Sequence, residues 1–259
     1  MRCLVVYFIL ISALGHSQSV FSSDQGWISI FDGESLEGWT PKLRDEVYGA
    51  DILKTFTIRD SAITVDYSNY KNFNDKFGHL FYKTEFSSYR LTFLYRFIGE
   101  QIHDGPGWAY KNSGIMFHSE NPLGMALNQD FPVSLEAQLL GANPESSVDR
   151  NTMNLCTPGT HVFIKGDLKK QHCLNSVSKS YSDERWIRAE LVVYPNGIIE
   201  HFVEGEKVMT YSNPILGGPF EYNAEKWDPK EGSNWNSGYF ALQSESHPVQ
   251  FKSLYIKPF

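Results

Sequence analysis

The chain has 259 residues, with 23 Lys and Arg against 30 Asp and Glu, so its formal net charge is −7 at neutral pH. An acidic chain is repelled by nucleic-acid phosphates and by anionic membrane surfaces, which argues against both as partners. Beyond the first twenty residues no stretch is apolar and long enough to span a bilayer, so no membrane insertion is expected of the mature chain.

The opening MRCLVVYFILISALGHSQS reads as a secretory signal peptide over residues 1–19. Arg2 gives the basic start, Leu4 to Leu14 the apolar run, and Gly15, Ser17 and Ser19 the small residues that follow. Cleavage is expected between Gly15 and Ser23, the alternative being an uncleaved anchor. Cys3 precedes the apolar run, so there is no lipobox cysteine. The protein is expected to be exported, either periplasmic or extracellular. What remains, residues 24–259, suits one large all-β domain. Its two cysteines, Cys156 and Cys173, form an even count in an oxidising compartment, which predicts a disulfide. The loop of about 18 residues would be worth about 3 kcal/mol on the loop-entropy argument. A metal pair with His161 and His172 is the rival, but the spacing matches no zinc pattern.

Strand signals then recur, and helix signals are nearly absent. WISIF (27–31) opens the series. FTIRDSAITVDY (56–67) reads as a hairpin around Asp60 and Ser61. GHLFYK (78–83) and YRLTFLYRFIG (89–99) follow, the latter alternating Leu91, Phe93, Tyr95 and Phe97 against Thr92, Leu94 and Arg96. SGIMFHSE (113–120) and VSLEAQLL (133–140) come next. Residues 186–213 form a three-strand meander with turns at Pro195-Asn196-Gly197 and Glu204-Gly205-Glu206. SGYFALQSES (237–246) and PVQFKSLYIKPF (248–259) close the chain. The stretches 100–112, 141–160, 165–182 and 214–236 read as loops. Many short aromatic strands with Gly and Pro punctuation predict a sandwich or jelly roll of antiparallel sheets.

Residues two apart on a strand share a face. On 133–140, Leu135, Ala137 and Leu139 share one side; Ser134, Glu136 and Gln138 share the other. Gln243, Glu245 and His247 repeat the pattern near the C-terminus, and Gly114, Met116 and His118 lie together on 113–120. If these strands share one curved sheet, its concave face gathers Glu136, Gln138, Gln243, Glu245, His247 and His118 into a trough suited to sugar hydroxyls. Each residue alone also reads as an ordinary solvated or turn position. HDGPGWAYKN (103–112) reads as a flap over one end of the trough, bringing Trp108 and Asn112. Trp39, Tyr110, Trp227 and Trp235 also sit in or near expected loops and are candidates to stack on sugar rings.

The stretches GWISIFDGESLEGW (26–39), NSGIMFH (112–118), FPVSLEAQLLG (131–141), the meander from Trp186, and GYFALQSESHPVQFKSLYIKPF (238–259) resemble the 3-keto-disaccharide hydrolase domain family. Its members are also described as 3-keto-α-glucoside 1,2-lyases and 3-keto-2-hydroxy-glucal hydratases. The resemblance implies a concanavalin-A-like jelly roll and an enzyme acting on oxidised (3-keto) glycosides. It places Glu136 and Gln138 in the site strand and Gln243, Glu245 and His247 in the penultimate strand; Glu136, Glu245 and His247 are the expected catalytic residues, and Gln138, Gln243, His118, Trp108 and Asn112 the expected substrate-binding residues. His118 stands where the family usually has Arg, a smaller and titratable group in place of a fixed charge.

A ketone at C3 acidifies the C2 hydrogen. A base removes it, the C1 substituent leaves by β-elimination, and water adds back for net hydrolysis. This needs a base, an acid and a donor to the enolate oxygen. A divalent cation on Glu136, Glu245 and His247 would polarise the ketone; it rests on the resemblance and this chemistry, since the sequence shows no compact metal motif. Two other readings stand. One is an ordinary glycoside hydrolase, disfavoured because Gln138 cannot act as nucleophile or acid. The other is a non-catalytic, lectin-like carbohydrate-binding module.

Overall fold

The computed structural model describes residues 25–146 and 148–259. The expected signal peptide therefore lies outside the described residues. Strands are numbered in chain order. The ten-stranded sheet runs β11 (Asp167–Lys169), β10 (Thr160–Ile164), β15 (Glu206–Leu216), β14 (Ile198–Val203), β13 (Ile187–Val193), β6 (Tyr89–Phe97), β17 (Val249–Pro258), β4 (Ala62–Val65) and β3 (Phe56–Arg59), with β1 (Ile28–Ser29) also on β17. The seven-stranded sheet runs β12 (Cys173–Leu174), β9 (Asn154–Cys156), β8 (Leu135–Leu140), β7 (Asn112–Ser119), β16 (Tyr239–Ser244), β5 (Gly78–Tyr82) and β2 (Trp39–Leu43). The named pairings are antiparallel, giving an all-β sandwich of two sheets with the jelly-roll character expected.

Alternation builds the core. Leu91, Phe93, Tyr95 and Phe97 of β6 meet Leu135, Ala137 and Leu139 of β8, Ile115 and Phe117 of β7, and Leu242 of β16 in one buried cluster. Period-two patterning sends the intervening residues of β7, β8 and β16 to the face turned away from that core. The hairpin at 56–67 forms with Asp60 and Ser61 both at positive φ (51° and 55°), as a tight two-residue connection demands.

Five strands escape a sequence reading. β2, WTPKL, carries a proline, which an edge strand tolerates because its N–H side needs no partner. β9, β11 and β12 lie in stretches expected to be loops, and β10 lies between them; each has two to five residues and is specified by pairing rather than by its own pattern. The stretch 214–236 includes the end of β15 and one helical turn, α1 (Ala224–Trp227). Two of the tryptophans offered as sugar platforms are packing residues: Trp39 lies in the main core with its indole N–H on the Ile30 carbonyl, and Trp227 is buried among Val133 and Leu216.

The Cys156–Cys173 disulfide is formed, across directly opposed positions of β9 and β12. β12 pairs only with β9 in the sheet order, so the bond holds the edge of the seven-stranded sheet. Replacing both cysteines with Ser is expected to cost about 3 kcal/mol, lowering the unfolding temperature by about 6–12 °C. Thermal unfolding of the two proteins checks this; equal midpoints would show that the crosslink adds nothing.

Candidate active site

The outward face of the seven-stranded sheet carries two parallel rows of side chains. In the first, His79 stands opposite both Lys42 and Gln243, Gly114 opposite Gln138, and Gln138 opposite Asn154. The Leu242–Ile115 pairing sets Gln243 beside Gly114 and joins the two halves of the row. In the second, Ala241 faces Met116, Met116 faces Glu136, and Glu136 faces Cys156. Gly114 lacks a side chain where Glu136 needs room: a Cβ there would lie 2.5 Å from a Glu136 carboxylate oxygen.

Glu136 and Glu245 are both buried, 6% and 3% exposed, and each has one carboxylate oxygen with no hydrogen-bond partner among the described residues. Burial pushes the Glu136 carboxyl well above its usual range. Glu245 is raised by burial and then by the charge of Glu136, against a smaller opposing pull from Arg150. Two buried carboxylates that feel each other resist ionising together, so the pair retains a proton where isolated carboxyl groups would have lost theirs.

Around the pair lie amides with spare capacity. Gln243 is fully buried, its Nε2 reaching only the Met116 sulfur at 3.8 Å and its Oε1 unpartnered. Asn112 Oδ1 is likewise buried without a partner. Gln138 accepts from Asn154 at 3.1 Å. The 103–112 loop is anchored by its aromatics and by Arg150. Trp108, 56% exposed, stacks on Phe77 at 5.9 Å, and Tyr110 packs edge-on against His247 at 5.1 Å. Arg150 fastens it, donating to the carbonyls of Trp108, Tyr110 and Gly141.

The histidines separate by what they touch. His201 lies between the Met153 carbonyl and the Tyr211 hydroxyl at 2.9 and 2.8 Å, a satisfied core group. His118 sits at a positive φ of 43°, which turns it out of strand alternation, and its ring nitrogens lie 3.3 Å from the Trp235 and Ser87 carbonyls. No contact joins it to Glu136 or Glu245, so the structure does not gather it into the site as strand parity implied. His247 is also displaced from simple parity, because β16 ends at Ser244 and Ser246 has φ 84°. Its ring is buried between Phe97 and Tyr110 with neither nitrogen in a well-formed hydrogen bond. Burial, then Lys111, pushes it down to about 3, so it is neutral.

Among the described residues no group of three or more His, Cys, Asp or Glu side chains is arranged to hold a metal ion. Glu136, Glu245 and His247 therefore do not meet as the three-donor centre that the resemblance implied, and no chemistry below is routed through a cation.

Two residues escaped the sequence reading. Arg150 came from an expected loop with no pattern to mark it. His79 is 1% exposed with an unpartnered Nε2, and burial, then Lys42, pushes it to about 3. Its signal was available: it stands on the polar parity of β5, opposite Gln243.

The full-length match decides the family. Residues 26–257 match the 3-keto-alpha-glucoside-1,2-lyase-like domain. The chain belongs to this family. No curated protein matches it in sequence. Among solved structures, this 3-keto-alpha-glucoside-1,2-lyase-like chain is similar to a candidate glycosyl hydrolase of Parabacteroides distasonis ATCC 8503, at 18% identity and TM-score 0.51, over 92% of this chain and 95% of that one. A second one from the same organism gives 13% and 0.52, over 90% and 99%. The exoplasmic/lumenal domain of VIP36, in its Ca2+/Man3GlcNAc-bound form, gives 10% and 0.51, over 91% and 89%. At these identities the likeness is one of fold.

The buried groups fix a pH signature for the lyase-like domain. A carboxyl whose folded pKa is raised stabilises below its unfolded value, 4.5, and loses that contribution as pH rises through the folded value. A histidine whose folded pKa is depressed loses stability as pH falls below 6.5. The unfolding temperature is expected to peak between pH 4.5 and 6.5 and to decline on the alkaline side. The Glu136→Gln/Glu245→Gln double variant should lack most of that alkaline decline. Calorimetry across pH 4–9 checks it; parallel curves for the two proteins would show that the pair is not the cause.

Proposed function

We propose that this protein cleaves 3-keto-glycosides by C2 proton abstraction and β-elimination. One observation carries the reading: two buried, mutually repelling carboxyl groups, each with an unpartnered oxygen, one on β8 and one just past the end of β16, in a chain of this family. A pair that holds one proton supplies an ionised base and a protonated acid in one place. The base takes the C2 proton, and the electron pair moves into the C2–C3 bond to give an enolate at the C3 oxygen. The enolate then re-forms the ketone, C1 and C2 become doubly bonded, and the C1–oxygen bond breaks. The leaving oxygen takes the proton of the acid. Addition of water, hydroxyl to C1 and proton to C2, completes net hydrolysis. Gln243, whose Nε2 reaches only the Met116 sulfur, would donate to the enolate oxygen, and the unpartnered Gln243 Oε1 and Asn112 Oδ1 would accept from sugar hydroxyls.

Export to the periplasm or exterior belongs to the same proposal. It is supported by the leader-like opening and the disulfide, and no helix among the described residues is long and apolar enough to cross a membrane.

The test uses a 3-keto-glucoside deuterated at C2, beside its unoxidised parent. The expected result is turnover of the oxidised sugar alone, with a primary isotope effect or loss of deuterium to solvent. Cleavage of the unoxidised glucoside without an isotope effect would assign the two carboxylates to ordinary glycoside hydrolysis. Binding of the parent with no turnover of either would assign a lectin.

A further inference from the structure

A cavity of about 340 Å³ lies at the end of the same seven-stranded sheet where β8 begins and β9 ends, and none of the residues expected at the site lines it. Its position is set by the strands. Val133 lines it three residues before Glu136, and Thr157 lines it one residue after Cys156, which faces Glu136 across the ladder. Phe131 forms a shared wall: it lines the cavity and packs edge-on against His79 at 6.0 Å. We propose that this cavity receives the leaving-group ring, a neutral six-membered ring of about hexose size, while the oxidised sugar occupies the Glu136–Glu245 site. The assignment rests on the reaction proposed above.

Four features define the occupant. The volume is near the lower end for ligand pockets, enough for one ring rather than a chain. Phe131, Pro132, Pro158 and Phe220 give flat apolar walls, which suit the face of a sugar or aryl ring. Lys170 and Glu221 both line the cavity with opposite charge, so nothing selects an ion. His161 is the polar anchor. It is 7% exposed and its Nδ1 has no hydrogen-bond partner among the described residues. Its ring lies so close over Gly217 that a Cβ there would come within 2.1 Å of it. Gly217 thus makes room for the His161 imidazole at the cavity wall.

The experiment compares kcat/KM for three substrates sharing one oxidised sugar: a 3-keto-glucosyl-glucose, a phenyl 3-keto-glucoside and a methyl 3-keto-glucoside. The intrinsic reactivities cancel when each variant is referred to the wild type. In Phe220→Ala the preference for the ring-bearing substrates over the methyl glycoside should fall by about tenfold. His161→Phe keeps the ring on Gly217 and deletes the nitrogen. It should lower the glucosyl-glucose preference by about threefold to tenfold and leave the phenyl preference less affected. That contrast separates a sugar leaving group from an aryl one, and thermal unfolding shows that each variant is folded.

Saturation-transfer NMR with free glucose and with phenol reads the cavity without turnover. Loss of either signal in Phe220→Ala, in a protein that turns over no 3-keto-glycoside, would sink the reaction while the cavity assignment stands. Turnover with unchanged preference in both folded variants would overturn the cavity assignment alone.

Discussion

Glu136→Gln and Glu245→Gln will each lose about 10² to 10⁴ in turnover of a 3-keto-glucoside, the range a positioned acid or base contributes. The amide preserves size and removes charge and basicity. Each carboxylate already has an oxygen without a partner, so the substitution breaks no internal hydrogen bond at that atom. It also relieves the repulsion that raises Glu245. Both variants are therefore expected to fold and to unfold at or above the wild-type temperature near pH 8. Deuterium exchange at C2 divides the roles. The variant lacking the base stops exchange, whereas the variant lacking the acid exchanges C2 but releases the leaving group slowly. Full activity in both variants would remove the pair from the chemistry.

Gly114→Ala will lose about 10² in kcat/KM, although Gly114 carries no reactive atom, because a displacement of about 1 Å in a catalytic group costs that much. The new methyl would meet Oε1, Cγ and Cδ of Glu136 at 2.5, 2.8 and 3.0 Å. The obstacle is the movable end of a side chain, so Glu136 gives way and the sheet stays intact. A double-mutant cycle tests the route of the effect. If Gly114 acts through Glu136, Gly114→Ala added to Glu136→Gln changes the rate little further. Losses that multiply would show that the alanine damages something else.

The fold was legible where one strand carried its own pattern. β6, β7, β8, β16, β17 and the meander alternate over six or more residues, or turn at Gly, and each was found close to its place. β9, β11 and β12 were not legible, because two or three residues carry no period; β9 and β12 exist through partners about 20 residues away, and β11 through a hairpin with β10. The site divides the same way. Glu136, Gln138 and Gln243 follow strand parity and share a face. His118 and Ser246 take positive φ, and parity fails at or beyond each of them; nothing in the residue types announces the change. Arg150 was invisible for another reason: its three acceptors are backbone carbonyls, which no sequence displays.

Two of those three hydrogen bonds, to Trp108 and Tyr110, tie Arg150 to the 103–112 loop, and the third ties it to Gly141. They are charge-assisted, so each resists breaking more than a neutral one. If this loop has to lift before a glycoside reaches the buried carboxylates, only the molecules in which Arg150 has let go can bind it. The measured dissociation constant is then weaker than the intrinsic one by that fraction. Weakening these bonds with Arg150→Lys, a single point charge in place of a fork, shifts the population toward the open form. Substrate association should quicken and apparent binding tighten in that variant, while water gains access to the pair and the chemical step slows. An Arg150→Lys protein with unchanged association rate and affinity would show that this loop does not gate the site.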